Sequence, residues 1–209
     1  MYLLVTKAEA TLEKYGHQPL LGRLVQPRHY DGLHRTNANA RVWAADNDCF
    51  QRLNADRYRR MVETLPAEGC RFVTVPDVVA DHQATLRLWS RWSQFVTGRG
   101  LPAAFVMQDG CERFSQVPDD AAAVFIGGTT RYKMSDMARQ IVTEAKECGM
   151  WVHMGRVNSF RRIVLARSWG CDSVDGSSFS MFSDTYIPRA LELLGGPEQL
   201  ALAPPCLEF

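Results

Sequence analysis

Three aspartates, Asp46, Asp77 and Asp175, each end a short apolar run, in "RVWAAD", "RFVTVPD" and "CDSVD". Gln108, Gly127, Gly128 and Met154 stand at or beside the ends of three others, "AAFVMQD", "AVFIGG" and "WVHMG". Carboxylates gathered in one cleft raise one another's pKa and are costly to assemble, so such a set implies a cation, a proton transfer or a hydrogen-bonding ligand. The cation is poorly served. Asp46 and Asp48 in "ADNDCF" match the opening of a calcium loop, but the glycine and the distal glutamate are missing. Six cysteines (Cys49, Cys70, Cys111, Cys148, Cys171, Cys206) form no CxxC pair and have no histidine at zinc spacing. No metal is therefore expected. "GGTTRYK" lacks the spacing of a P-loop, and no dinucleotide fingerprint is present, so no cofactor is expected either. A purine fits better. The guanine edge offers N1–H and amino donors to Asp77 and an O6 acceptor to Gln108 or to the backbone N–H groups near Gly127 and Gly128, with Met154 against the base face. One acid is then left for covalent chemistry.

These residues need a scaffold that brings strand ends together. Eight apolar runs of strand length recur: 2–6, 20–25, 41–46, 71–77, 103–109, 123–128, 151–155 and 171–175. Between the later ones, Tyr58, Met61, Val62, Leu65 and Ala138, Ile141, Val142, Ala145 repeat at helical spacing. Asn54, Asp81 and Ser135 are suited to begin helices, and Gly69, Gly149 and Gly170 to end them. Alternating strand and helix implies right-handed crossovers and a parallel sheet, and eight strands close a (β/α)8 TIM barrel. An open doubly wound parallel sheet is the alternative fold. Residues 1–209 are read as a single barrel domain with a final helix at "IPRALELLGG" and an extended C-terminal tail at 197–209. In either fold, residues just past the C-terminal strand ends share one mouth.

Strand alternation separates the two acids of "CDSVD": Asp175 faces the mouth, and Asp172, three residues earlier, faces the other way and is structural. His153 lies inside an apolar strand and is read as a hydrogen-bonded core residue, while Trp89 and Trp92 pack a helix on the barrel. Arg131, Lys133, Arg156, Arg161 and Arg162 follow strand ends and could meet a phosphate backbone at the mouth. The formal net charge is only +1, so any nucleic-acid contact must be this local. No leader peptide and no apolar run of membrane-spanning length are read, which points to a cytoplasmic protein without a membrane partner.

The motifs together resemble an ordered family set. "DNDCFQ" resembles the DSGGFQ segment of the tRNA-guanine transglycosylases, and "VPD" falls where they carry a base-recognising aspartate. "VMQDG" resembles their VQGG, "FIGG" their glycine-rich strand end, "VHMGRV" their LMGVG, and "CDSVDG" their DMFDC. The chain is most similar to the phage and bacterial branch that exchanges guanine in DNA for a 7-deazaguanine. The resemblance implies a TIM barrel, Asp175 as the nucleophile on the sugar C1′ and Asp46 as general acid and base. It further implies that Asp77, Gln108, Gly127, Gly128 and Met154 hold the base. The zinc-binding cysteine cluster of the tRNA enzymes, with its subdomain, is absent, which argues against tRNA. The implied partners are DNA, a free 7-deazaguanine-type base such as 7-cyano-7-deazaguanine, and a protein that helps open the duplex. The alternatives are an N-glycosidase or nucleoside hydrolase, and a non-catalytic base-binding module of a DNA-modification complex.

Overall fold

The computed structural model describes residues 1–6, 9–30, 42–50 and 52–195. Eight strands, β1 (Tyr2–Val5), β2 (Leu21–Val25), β3 (Trp43–Ala45), β4 (Cys70–Thr74), β5 (Ala103–Met107), β6 (Ala123–Ile126), β7 (Trp151–Met154) and β8 (Ser173–Asp175), pair in parallel in sequence order. Strand β8 also pairs with β1, Leu4 lying opposite Asp175, so the sheet closes and the open doubly wound alternative falls away. The fold is a compact (β/α)8 barrel.

The helices are α1 (Glu9–Tyr15), α2 (Ala55–Thr64), α3 (His82–Thr97), α4 (Thr130–Lys133), α5 (Asp136–Glu147), α6 (Phe160–Ser168), α7 (Ser177–Met181) and α8 (Ser183–Gly195). Among the described residues, the connections after β2 and β5 carry only 3-10 turns, Pro27–His29 and Phe114–Gln116. Between β5 and β6, where a turn stands in place of a helix, this shortens the chain a barrel needs. Asn54, Asp81 and Ser135 accept hydrogen bonds from the backbone N–H groups of Arg57, Ala84 and Ala138, each such cap contributing about 1 kcal/mol. Gly149 and Gly170 follow α5 and α6 with φ of 74° and 82°, as helix-ending glycines do. Gly69 has another role. Helix α2 stops earlier, at Leu65, because Pro66 drives the preceding residue out of the helical region, to ψ 130°.

Alternation along the strands divides the core. Leu4, Leu24, Val42, Ala44, Phe72, Ala104 and Ala123 form an inner cluster made of strand residues and Val42 beside β3. The opposite faces, with Leu3, Val5, Val73, Phe105, Ile126, Val152, Met154 and Val174, join the helices in the larger outer cluster. Trp89 and Trp92 are buried there on α3, edge-on to Phe105 at 5.6 Å and Tyr58 at 5.6 Å, so they pack the helix on the barrel. Among the described residues, no helix is long and apolar enough to cross a membrane. The tail at 197–209, together with Arg41, Gln51 and Cys206, lies outside the described residues.

Candidate active site

The inner alternation of each strand runs out at the C-terminal mouth, and there the polar residues begin. Asp46 continues the inward row of Val42 and Ala44, Gln108 that of Ala104, and Asp175 follows Ser173. The structure brings Asp46, Asp77, Gln108 and Asp175 to this one end.

Asp46 accepts a hydrogen bond from Gln26 Nε2 at 3.0 Å and one from Thr74 Oγ1 at 3.4 Å. Burial pushes its carboxyl above the ordinary value against the opposing Gln26 hydrogen bond, and the nearby Asp175 and Asp48 carboxylates push it the same way. Such a carboxyl is suited to hold a proton and release it. Asp48 is otherwise engaged, in a bidentate ion pair with Arg28, and Asp48 itself sits at φ 62°.

Asp77 is held by two amides whose orientation the backbone fixes. Asn47 Oδ1 accepts the Cys49 N–H at 2.8 Å, which turns Asn47 Nδ2 toward Asp77 Oδ1, also at 2.8 Å. Gln108 Oε1 accepts the Ala80 N–H at 2.8 Å, which turns its Nε2 toward Asp77 Oδ2 at 2.6 Å. Burial nonetheless pushes the Asp77 carboxyl up to about 7, with the two amide donors pulling the other way and Asp46 adding to the rise. Asn47 is 3% exposed and was not singled out from the sequence. Its place between Asp46 and Asp48 was the available signal, since an amide inside an acidic loop can clamp a carboxylate without adding charge.

Asp175 Oδ1 lies 3.0 Å from His153 Nε2 and accepts the Arg156 N–H at 3.0 Å. Among the described residues its Oδ2 accepts no hydrogen bond. Arg156 holds this pose at φ 57°, a left-handed conformation that costs of order 1 kcal/mol in a residue other than glycine. Its guanidinium donates to the Gly128 carbonyl at 2.7 Å and lies over the Phe50 ring, 4.4 Å from the centroid. Phe50 is 60% exposed, an aromatic face at the same rim.

Of the other expected residues, Gly127 and Gly128 lie beside this group and Met154 does not. Met154 is fully buried on the outward row with Val152, packed toward the helices, because it follows inward-facing His153 by one residue. Gly155 takes the inner position instead, and Phe50 is the exposed aromatic ring at this rim. The Gly127 N–H donates to the Met107 carbonyl at 3.0 Å, and a Cβ on Gly127 would meet Gln108 Nε2 at 2.8 Å. Gly127 thus admits Gln108 and has its own N–H engaged. Gly128, at φ 73°, turns the chain over Asp109 and Tyr132. Lys133 is 3% exposed, its ammonium donating to the Gly155 carbonyl at 2.8 Å, and burial, reinforced by Arg156, pushes it down to about 8. Its reach is inward, so it supports the β7 end from below and does not meet an outside phosphate. Arg131 and Arg161 are exposed and Arg162 is half-buried. Asp172, as strand alternation required, lies apart from Asp175 and pairs with Lys146 at 2.6 Å.

Among the described residues, no group of three or more His, Cys, Asp or Glu side chains is placed to hold a metal ion. Cys49, Cys70, Cys111, Cys148 and Cys171 are free thiols. Comparison of the sequence with protein-family models and with curated proteins gives no match.

Proposed function

We propose that the protein exchanges guanine in DNA for a 7-deazaguanine derivative, with a covalent glycosyl ester on Asp175 as the intermediate. The observation that carries this reading is the contrast between two acids in one mouth. Asp175 has one oxygen tied by Arg156 and His153 and the other without a partner among the described residues, while burial favours the protonated form of Asp46. Paired carboxyl groups with diverging surroundings are what a nucleophile and a general acid require.

In the first displacement a lone pair of Asp175 Oδ2 forms a bond to C1′, the C1′–N9 bond breaks, and its electron pair leaves with guanine as Asp46 delivers a proton to that base. In the second, the incoming deazaguanine gives its proton to Asp46 and attacks C1′, and the ester bond pair returns to Oδ2. The acid and the nucleophile are thereby both restored. Asp77 accepts from the N1–H and amino groups of the base, oriented by Asn47 and Gln108, and Phe50 lies against the base face. A duplex hides both C1′ and the base edge, so the nucleotide is extruded at a cost of a few kcal/mol, about the scale that backbone contacts from Arg131, Arg161 and Arg162 can offset.

The test is to incubate the protein with DNA and labelled guanine and to look for a denaturation-resistant DNA adduct. Exchange without abasic product, and an adduct that Asp175→Ala abolishes, are expected. Abasic sites without exchange point to an N-glycosidase, and DNA and base binding that survive in Asp175→Ala without any adduct in the wild type point to a non-catalytic module.

A further inference from the structure

Beneath Asp175 the barrel interior holds a row of polar groups that the proposed chemistry does not touch. His153 is fully buried, its ring held between Phe125 at 4.6 Å and Phe72 at 5.1 Å between centroids. Its Nδ1 lies 2.8 Å from Ser173 Oγ and its Nε2 lies 3.0 Å from Asp175 Oδ1. Ser173, also fully buried, accepts a hydrogen bond from Trp151 Nε1 at 2.9 Å.

The direction of every bond in this row follows from its lower end. Indole Nε1–H can only donate, so Ser173 Oγ accepts there. The Ser173 hydroxyl still has one hydrogen to donate in a dry interior, where an unpaired donor costs about 1–3 kcal/mol. Among the described residues its acceptor within reach is His153 Nδ1. With Nδ1 accepting, the imidazole carries its proton on Nε2, aimed at Asp175 Oδ1.

We infer that His153 is a positioning residue for Asp175: the chain Trp151 to Ser173 to His153 locks the tautomer that donates to Oδ1, so that Oδ2 alone faces the reactant. This rests on the reading of Asp175 as the nucleophile. Its chemical consequence spans both displacements. Oδ1 never bonds to C1′, so the Nε2–H and the Arg156 N–H stay on it throughout. They keep the carboxylate from rotating during attack. On the ester they sit on the carbonyl oxygen and draw electron density from the breaking C1′–Oδ2 bond, as oxyanion donors do.

Two measurements separate this inference from the reading beneath it. Nitrogen-15 NMR of the imidazole of His153 reports the tautomer whether or not the protein turns over; a proton on Nε2 is expected, and a proton on Nδ1 overturns the lock. The second is the single-turnover rate of adduct formation on DNA. His153→Phe keeps the ring volume without a donor, and the rate should fall on the order of 10- to 100-fold at unchanged DNA affinity, the usual scale for losing an orienting partner. His153→Gln puts an amide N–H near the position of Nε2 and should recover most of that loss. A structural role predicts the reverse order, Phe tolerated and Gln not, and that order, or a folded His153→Phe protein reacting at the wild-type rate, refutes the assignment. If the wild type forms no adduct, the transglycosylase reading fails, and the NMR result still decides the tautomer.

Discussion

At the scale of single residues, the proposed chemistry gives three aspartates different work, and each role can be tested separately. The proposed mechanism makes Asp46 the acid, and burial, with Asp175 adding to the upward push, raises its carboxyl in keeping with that role. Replacing Asp46 with Asn should slow guanine exchange by about 10²- to 10⁴-fold, the usual contribution of a positioned proton donor. DNA carrying 7-methylguanine, a cationic base that departs without protonation, should restore adduct formation in Asp46→Asn but not in Asp175→Asn. Equal losses on both substrates would remove Asp46 from the role of acid. Asp77 makes a pH-dependent prediction. In the proposed function it recognises guanine as an acceptor, so the carboxylate would be the binding form, and that form is lost as pH falls through about 7. Guanine affinity measured by calorimetry should therefore weaken about tenfold per pH unit below that point and level off above it. The same shift acts on stability with the opposite slope. A carboxyl raised in the folded state favours the protonated protein, so its contribution to stability declines as pH rises from the ordinary carboxylate range to about 7.

At the scale of elements, the site depends on loops that are pinned to strand ends. Asn47 joins the β3 and β4 ends: its N–H donates to Thr74 Oγ1 at 2.7 Å, and its Nδ2 to the Val75 carbonyl and to Asp77, each at 2.8 Å. Asn47→Ala leaves buried acceptors unpaired and should cost about 1–3 kcal/mol in urea unfolding, with guanine affinity falling alongside. Gly155 does the same service at the β7 end by having no side chain. A Cβ there would meet the Phe125 ring at 2.5 Å, and Phe125 packs on His153. Gly155→Ala should thus destabilise the fold by about 1–3 kcal/mol and slow adduct formation, readable as a lowered melting temperature and a reduced single-turnover rate. The strands themselves were legible in the sequence, because apolar runs bounded by polar residues are a local signal, and so were the three caps. What the sequence did not reveal is of two kinds. Met154 was expected at the mouth because it ends an apolar run; whether it faces in or out is settled by register, and one residue reverses the answer. Asn47, Phe50 and the His153 to Ser173 contact depend on which strands become neighbours. A histidine between apolar residues reads as core, which it is, and only the register of β7 on β8, with His153 opposite Ser173, sets it against Asp175.

At the scale of the whole molecule, a chain with formal net charge +1 must bind a polyanion through a local field. In the proposed complex with DNA the arginines after the strand ends would supply it: Arg131 on α4 and Arg161 on α6 are exposed, and Arg162 is half-buried. Lys133, from the same stretch, is different in kind. It is buried, donates to the Gly155 carbonyl and is pushed down to about 8 chiefly by burial. Salt dependence distinguishes the two. Each phosphate neutralised by a side chain adds about 0.7 to 0.9 to the slope of log affinity against log salt. Arg131→Ala should therefore reduce the slope for DNA by about that much while leaving the binding of free guanine unchanged. Lys133→Met should leave the slope as it is and instead slow adduct formation, because the Gly155 carbonyl loses its partner and the Arg156 N–H that holds Asp175 Oδ1 follows one residue later. A reduced slope in Lys133→Met, measured by fluorescence anisotropy over a salt series, would place that ammonium on the phosphate backbone after all.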